Sequence, residues 1–536
     1  MPIGLNATFE HLARTENHLA DDVLLAAMDS PHLPIRDLAL RAVLDRRSPR
    51  GHREIFRRLP EMDAQSRSIV EERPERLSRV VSETFQSGDA RQCSEACDAI
   101  ILFRLYDALP ALIDILLGEN CPCRQKAAQT VLELTELFYG ELCSPNERSR
   151  RRDQDSARQR IIAALEDGAK KFARHRSAEV VEAFLLVSKQ QNVVLRRMLR
   201  QTRESSHAAM IAALTASSRG GILRLLLSFL EDPQMPQVVK NILVNRTDPK
   251  YIDNLLAVAG SGASKAVAET LPRFDEFPWA KPGHPILAGM DGPRQADAVA
   301  LLMATSIPRD TLLELIGYLL REGKPEGRRA AAGALSGFNG PEADLLVIQS
   351  LNDEDPTVRA VVLKELRPRR IPRAMSLLIR MVDTTHEQIR EALREALPEF
   401  TFRHFMTNFD RLSDDVRVTA GYMVRKINSE ASFDLNLEME SPSPVRRRRA
   451  VLAAGAMGLV RELEQSVIRL LSDDDHMVRI AAAQELAGCD TMPSWEALRD
   501  ALLDRSVIVQ ETAEQSLKRI AQSLLDEEAC SEEVAS

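Results

Sequence analysis

The chain has 536 residues, 44% hydrophobic and 28% charged, with a net charge of −8. Aromatics are only 4% and glycines 23 of 536, too few for the aromatic and β-branched strands and frequent turns of sandwiches or barrels. Ala, Leu, Arg and Glu dominate, all strong helix formers, so the expected class is all-α; the acidic balance argues against a generic polyanion binder.

In chain order, MPIGLNATFEHLARTENHLADD lacks a basic n-region followed by an apolar core, and no signal peptide is expected. No apolar run reaches the roughly 18 residues of a membrane-spanning helix, so no membrane insertion is expected either. MDSPHLPIRDLALRAVL (28–44) and CPCRQKAAQTVLEL (121–134) share an outline, with Arg36 and Arg124 each followed three residues later by Ala39 and Ala127. Five of the seven cysteines, Cys93, Cys97, Cys121, Cys123 and Cys143, fall between positions 93 and 143. Cys93 and Cys97 share a helix face, and with Cys121 and Cys123 they are the candidate thiolate ligands for zinc or an iron–sulfur cluster. The paired C-x-x-C spacing of such sites is missing. Reduced cysteines also behave as small hydrophobes, so no cofactor is expected, and a cytoplasmic location is.

SPNERSRRRDQDSA (144–157) is polar throughout and reads as a solvated loop. It opens a basic stretch, Arg148 to Arg203, with 15 Lys/Arg against 6 Asp/Glu, a local +9 that leaves −17 on the rest of the chain. Arg150, Arg151 and Arg152 are its candidate partner-binding residues. Residues 259–295 hold five prolines and five glycines and read as an irregular crossover.

Beyond the crossover one motif returns. Aligned on an arginine, the units place Arg329, Arg359, Arg390, Arg417, Arg447 and Arg479, with Gln510 closing the series, at steps of 30, 31, 27, 30, 32 and 31 residues. Three residues on stand Ala332, Val362, Leu393, Ala420, Ala450, Ala482 and Ala513; seven on stand Leu366, Leu397, Val424, Ala454, Leu486 and Leu517, with Ser336 the exception. Those offsets lie on one helix face, where alanine lets neighbouring helices approach. A second apolar helix precedes each turn, and helix pairs this short bury their faces only by stacking. Asp353 and Asp473 stand six residues before their arginines and Asp383 seven. They are expected to cap the following helix and to bond the arginine of their own or the next unit, so that Arg359, Arg390, Arg417 and Arg479 form a structural ladder with them. The run Arg446, Arg447, Arg448 and Arg449 holds more charge than one rung needs and is a second candidate partner surface.

LNDEDPTVRAVVLKEL, LSDDDHMVRIAAAQELAG and MVDTTHEQIREALREAL resemble HEAT repeats, of the short kind found in the bilin-lyase-like HEAT family. The resemblance implies a right-handed α-solenoid of stacked helical hairpins, an armadillo-type superhelix. Its divergent N-terminal array is expected at 12–258, its C-terminal array at 296–525, and an acidic disordered tail at 526–536. HEAT-fold hydroxylases hold two irons with repeated His-Glu pairs, whereas His386-Glu387 is one pair. HEAT-like DNA glycosylases cluster aromatics with a catalytic Asp, whereas Trp279 and Trp495 are far apart. No catalytic residue is assigned. The resemblance implies a non-enzymatic scaffold or adaptor binding another protein on an extended surface. A nucleic-acid-associated protein using 148–203 is the alternative, and a lyase or hydroxylase, by fold analogy alone, stands third.

Overall fold

The computed structural model describes residues 3–72, 76–87, 89–118, 123–144 and 154–535. Among them there are helices and no strands. Two compact units divide the chain: Met1–Gly289 with Ala300–Pro308, and Met290–Val299 with Arg309–Ser536.

In the second unit the three-and-seven pattern becomes the packing surface. Val362, Leu393, Ala450, Ala482 and Ala513 are fully buried, as are Leu366, Leu397, Val424, Ala454 and Leu486. The helices carrying them, Pro356–Glu365, Glu387–Ala396, Asp414–Ile427, Pro444–Met457, His476–Leu486 and Val507–Ala535, pack each on the next in sequence order. This is the α-solenoid arrangement. Small residues set how closely the layers approach: at Gly421 a Cβ would lie 2.7 Å from the Ala456 carbonyl oxygen of the neighbouring helix.

One register differs from the sequence expectation. In the first unit of the series Ala331 and Ala332 are both buried, but seven residues along it is Leu335 that is buried while Ser336 is exposed. The repeat arginine there is therefore Arg328, not Arg329, and the exception at Ser336 disappears.

In the first unit, Leu33–Arg46 packs on Ile3–Arg14 and Ala64–Glu71, Ala90–Phe103 on Arg124–Cys143, and Ala178–Val187 on Arg124–Cys143 and Ser205–Ala216. Residues of the expected crossover belong to this unit as far as Gly289. The reason is apolar burial: Phe274 stacks on Phe277, which meets Trp279 at 5.7 Å between ring centroids, and all three are buried. The unit also starts earlier than position 12, with the helix Ile3–Arg14. At the other end, the expected disordered tail continues the helix Val507–Ala535, as Ala- and Glu-rich sequence without Gly or Pro favours.

No single described helix is long and apolar enough to cross a membrane. The apolar pair Ser205–Ala216 and Gly220–Glu231 meets at 102° and buries Leu214, Ile222, Leu225 and Leu226.

Two predictions follow from the packed second helices. Gly421→Ala should lower stability by about 1–3 kcal/mol, the cost of overpacking against a neighbouring backbone, read as a fall in the denaturation midpoint. Glu485 lies over Gly455 of the adjacent helix, where a side chain would collide with its carboxylate; burial pushes its pKa from 4.5 to about 7, against the opposing charge of Arg519. A raised carboxyl pKa stabilises the fold fully below the unfolded value and loses that contribution as pH rises through the folded one. Glu485→Gln should thus be silent at pH 4 and raise stability by roughly 1–3 kcal/mol at pH 8, measured as unfolding midpoints across that range.

Candidate functional site: an arginine ladder and an exposed apolar row

The ladder has a defined geometry in the second unit. Arg479 donates from Nη1 to its own turn, at Asp473 O (2.8 Å) and Asp474 O (3.1 Å). With Nε and Nη2 it grips both carboxylate oxygens of Asp504, at 2.8 and 3.0 Å. Arg447 repeats this, with Ser441 O at 2.9 Å and Asp473 at 2.7 and 2.8 Å. So does Arg328, with Gly323 O at 3.1 Å and Asp353 at 2.9 and 3.1 Å. Each arginine therefore bonds the turn of its own repeat and the acid of the following turn, 25 or 26 residues later. The same acid shapes that turn: Asp473 accepts the amide of Asp475, Asp353 that of Asp355, and Asp504 that of Ser506. Gln510 keeps only the carbonyl half, donating to Asp504 O at 2.6 Å. The Arg479 side chain is 3% exposed, and a charge so buried needs this bidentate pairing.

This corrects the expected pairing. Asp353 and Asp473 bond the arginine of the preceding repeat, whereas Arg479 takes backbone oxygens from its own turn and Asp504 from the next. Rungs form where an Asp stands six residues before the next repeat arginine. That position is Thr384 before Arg390, Arg411 before Arg417 and Ser441 before Arg447, and there the ladder stops. The Arg359 Nε is buried with no acceptor among the described residues. Arg390 turns to Glu387 at 2.6 Å. Arg417 bonds Phe409 O and Asp414 and lies over the Phe409 ring. Asp383, one residue out of register, holds Lys426 at 2.7 Å and the Tyr422 hydroxyl at 3.0 Å.

The run 446–449 is mostly occupied. Arg446 pairs with Glu438, Arg447 is a rung, and Arg449 donates to Met406 O and Asp410. Arg448 alone is exposed with no partner among the described residues. Arg150, Arg151 and Arg152 lie outside the described residues, as does Cys121. Elsewhere in the basic stretch, Arg160 pairs with Asp107, Lys171 with Asp167 and Arg196 with Asp232. His386 precedes the helix Glu387–Ala396, and Glu387 binds Arg390 and Arg394.

Cys93 and Cys97 are fully buried, and the Cys93 thiol reaches Thr84 O at 3.6 Å. Cys123 sits at the N-terminal cap of Arg124–Cys143. Among the described residues no group of three or more His, Cys, Asp or Glu is placed to hold a metal ion.

The sequence did not mark the surface that stands out most. On the first helices of the second unit, large apolar side chains are exposed at matching places: Leu345 and Ile348, Met375 and Ile379, Phe433 and Leu437, and Trp495. They lie 10 to 15 residues ahead of the repeat arginine or its equivalent. Trp495 is 37% exposed with Arg499 over its ring at 5.6 Å. Ala431–Met439 packs beside Glu464–Leu470, and that helix beside Met492–Ala501.

Removing Arg479 leaves Asp504 half-buried and unpaired, so Arg479→Ala should cost about 3 kcal/mol. Arg448→Ala should stay within about 0.5 kcal/mol, and Arg359→Ala should fall between them; chemical denaturation of the three variants checks the order. Acid should act through the same rungs. Burial pushes the Asp473 and Asp504 carboxyls up, but the hydrogen bonds from Arg447 and Arg479 and from turn amides outweigh it, leaving both below the ordinary 3.8. Their stabilisation is complete above that value and is lost as pH falls through the lowered ones.

A family model for HEAT repeats matches residues 312–398 and 433–518. No curated protein matches. Among solved structures, an engineered protein from the Northeast Structural Genomics Consortium is 15% identical, over 94% of this chain and 98% of the other, with a TM-score of 0.15. The karyopherin Kap121p bound to the extreme C-terminus of the protein phosphatase Cdc14p is 11% identical, over 97% of this chain and 62% of the other, at 0.23. Kap121p bound to Nup53p is 12% identical, over 96% and 76%, at 0.24. HEAT repeats are thus recognised in this chain at 312–398 and 433–518, both within the second unit.

Proposed function

We propose that this protein is a non-enzymatic scaffold or adaptor that binds another protein along the exposed first helices of its second unit. The observation that carries the reading is the row Leu345, Ile348, Met375, Ile379, Phe433, Leu437 and Trp495. Large apolar side chains are exposed at one place on four of the first helices, though not on Phe402–Asn408 or Glu464–Leu470, and exposed apolar groups of this kind mark interaction sites where they cluster. Phe433, at 68% exposed, and Leu437, at 63%, stand one turn apart on one helix and make the natural anchor. The fold does not need them buried, since the core beneath is filled by Ala431, Leu435 and Met439. A cytoplasmic setting is part of the proposal, and the described cysteines, all thiols rather than disulfides, fit a reducing compartment.

The nucleic-acid reading has less support, because Arg160, Lys171 and Arg196 are already held by carboxylates and net charge outside the basic stretch is −17.

Crosslinked affinity purification from the native host, run beside the double variant Phe433→Glu/Leu437→Glu, tests the proposal. One partner protein should be lost by at least tenfold from the variant, with the thermal midpoint unchanged. Equal capture by both proteins would contradict it. Submicromolar, sequence-selective binding of duplex DNA or RNA at physiological salt would favour the alternative.

A further inference from the structure

One rung of the ladder is built but lacks its acid. In the three complete rungs the aspartate divides its oxygens in one way. Oδ1 accepts from the amide two residues on, at 2.8 Å for Asp353, 2.9 Å for Asp473 and 2.7 Å for Asp504. Oδ2 accepts from the arginine Nε, at 2.9, 2.7 and 2.8 Å. Thr384 stands at the same place, 25 residues after Arg359 and six before Arg390. Its hydroxyl performs the first of these tasks, accepting from the His386 amide at 3.2 Å. A threonine has no second oxygen, and the donor left over is the one that oxygen would serve: Arg359 Nε is buried without an acceptor among the described residues. Nor does Arg359 hold a carboxylate among them, although its helix Pro356–Glu365 packs on Glu387–Ala396. The other interrupted rungs are less open, since Arg390 holds Glu387 and Arg417 holds Asp414.

We propose that Thr384 is a phosphorylation site whose phosphate supplies the missing acid to Arg359. Thr384 is half-buried, between exposed Asp383 and Thr385 in the turn ahead of Glu387–Ala396, so its hydroxyl lies at the surface a kinase must reach. In the transfer, Thr384 Oγ1 attacks the γ-phosphorus of ATP held by a serine/threonine protein kinase. The bond from that phosphorus to the β–γ bridging oxygen breaks, ADP leaves, and the hydroxyl proton passes to the kinase's catalytic base.

The product carries a charge of about −1.5 to −2 and three strong acceptor oxygens. Phosphate pairs with guanidinium through two parallel hydrogen bonds, as carboxylate does. The acids nearest Thr384 in sequence are already paired, Asp383 with Lys426 at 2.7 Å and Glu387 with Arg390 and Arg394. The added charge therefore has an open cation to bind and meets acids that are already neutralised. Phosphorylation thus closes the rung between Pro356–Glu365 and Glu387–Ala396, where the ladder is interrupted, and removal of the phosphate opens it again.

The test begins with full-length protein purified from its native host under phosphatase inhibition and mapped by phosphopeptide mass spectrometry. Phosphate is expected on Thr384 and not on Thr385. Full-length protein carrying phosphothreonine at 384, introduced by amber suppression, should melt about 2–4 °C above the unmodified chain. Arg359→Gln should abolish that rise. Thr384→Asp, which restores the residue of the complete rungs, should raise the midpoint in the parent chain as well. Native protein without phosphate on Thr384 would overturn the modification site. No rise with phosphothreonine, or a rise that survives Arg359→Gln, would overturn the pairing. The native map and the parent-chain melts decide even if Arg359→Gln fails to fold.

Discussion

An arginine held between two helical layers has to satisfy its charge and its donors where little water reaches. In the second unit Arg328, Arg447 and Arg479 do so with backbone oxygens of one turn and both carboxylate oxygens of the next. Most other contacts between layers are apolar and tolerate sliding; the bidentate pair does not, because its geometry fixes distance and angle together. A stack in which each repeat touches only its neighbours depends on such local registers, since no distant contact corrects an error.

That constraint explains why the repeat arginines and their acids are poor candidates for a partner site. Their donors are used up inside the stack. Arg446 and Arg449 are likewise committed to Glu438 and Asp410, so a run of four arginines presents one open charge, Arg448. Between residues 384 and 441 the rungs are missing, and Asp383–Lys426, Arg390–Glu387 and Arg417–Asp414 replace them with half-exposed pairs. Exposed pairs of this kind contribute ~0–1 kcal/mol each, so register there rests mainly on apolar packing.

Much of this fold is legible in sequence because a helical repeat writes the same face again and again. Ala450, Ala482 and Ala513, and Leu366, Leu397 and Leu486, identify the stacked helices from spacing alone. Arg328 was legible too: shifting the register by one residue puts Ala331 and Leu335 on the buried face and removes the anomaly of Ser336. The direction of the acid pairing was not, since each Asp stands six residues before one repeat arginine and 25 or 26 after the one it bonds, so the nearer residue in sequence is the wrong partner and only the layer spacing decides. The apolar row was hidden for a different reason. Phe433, Leu437 and Trp495 look like core residues, and nothing in composition says which of a helix's apolar positions face outward. In the first unit the spacing between repeats drifts, so buried pairs such as Arg46 with Asp21 and Arg196 with Asp232 have no periodic signature.

The most direct measurement is a double-mutant cycle on one rung, with Arg479→Ala, Asp504→Ala and the double variant compared with the parent by urea denaturation at neutral pH. If the pair fixes the layer register, the two single losses are coupled, with an interaction energy of roughly 1.5–3 kcal/mol. If the losses add to within about 0.5 kcal/mol, the pair is incidental to packing and the ladder does not hold the stack in register.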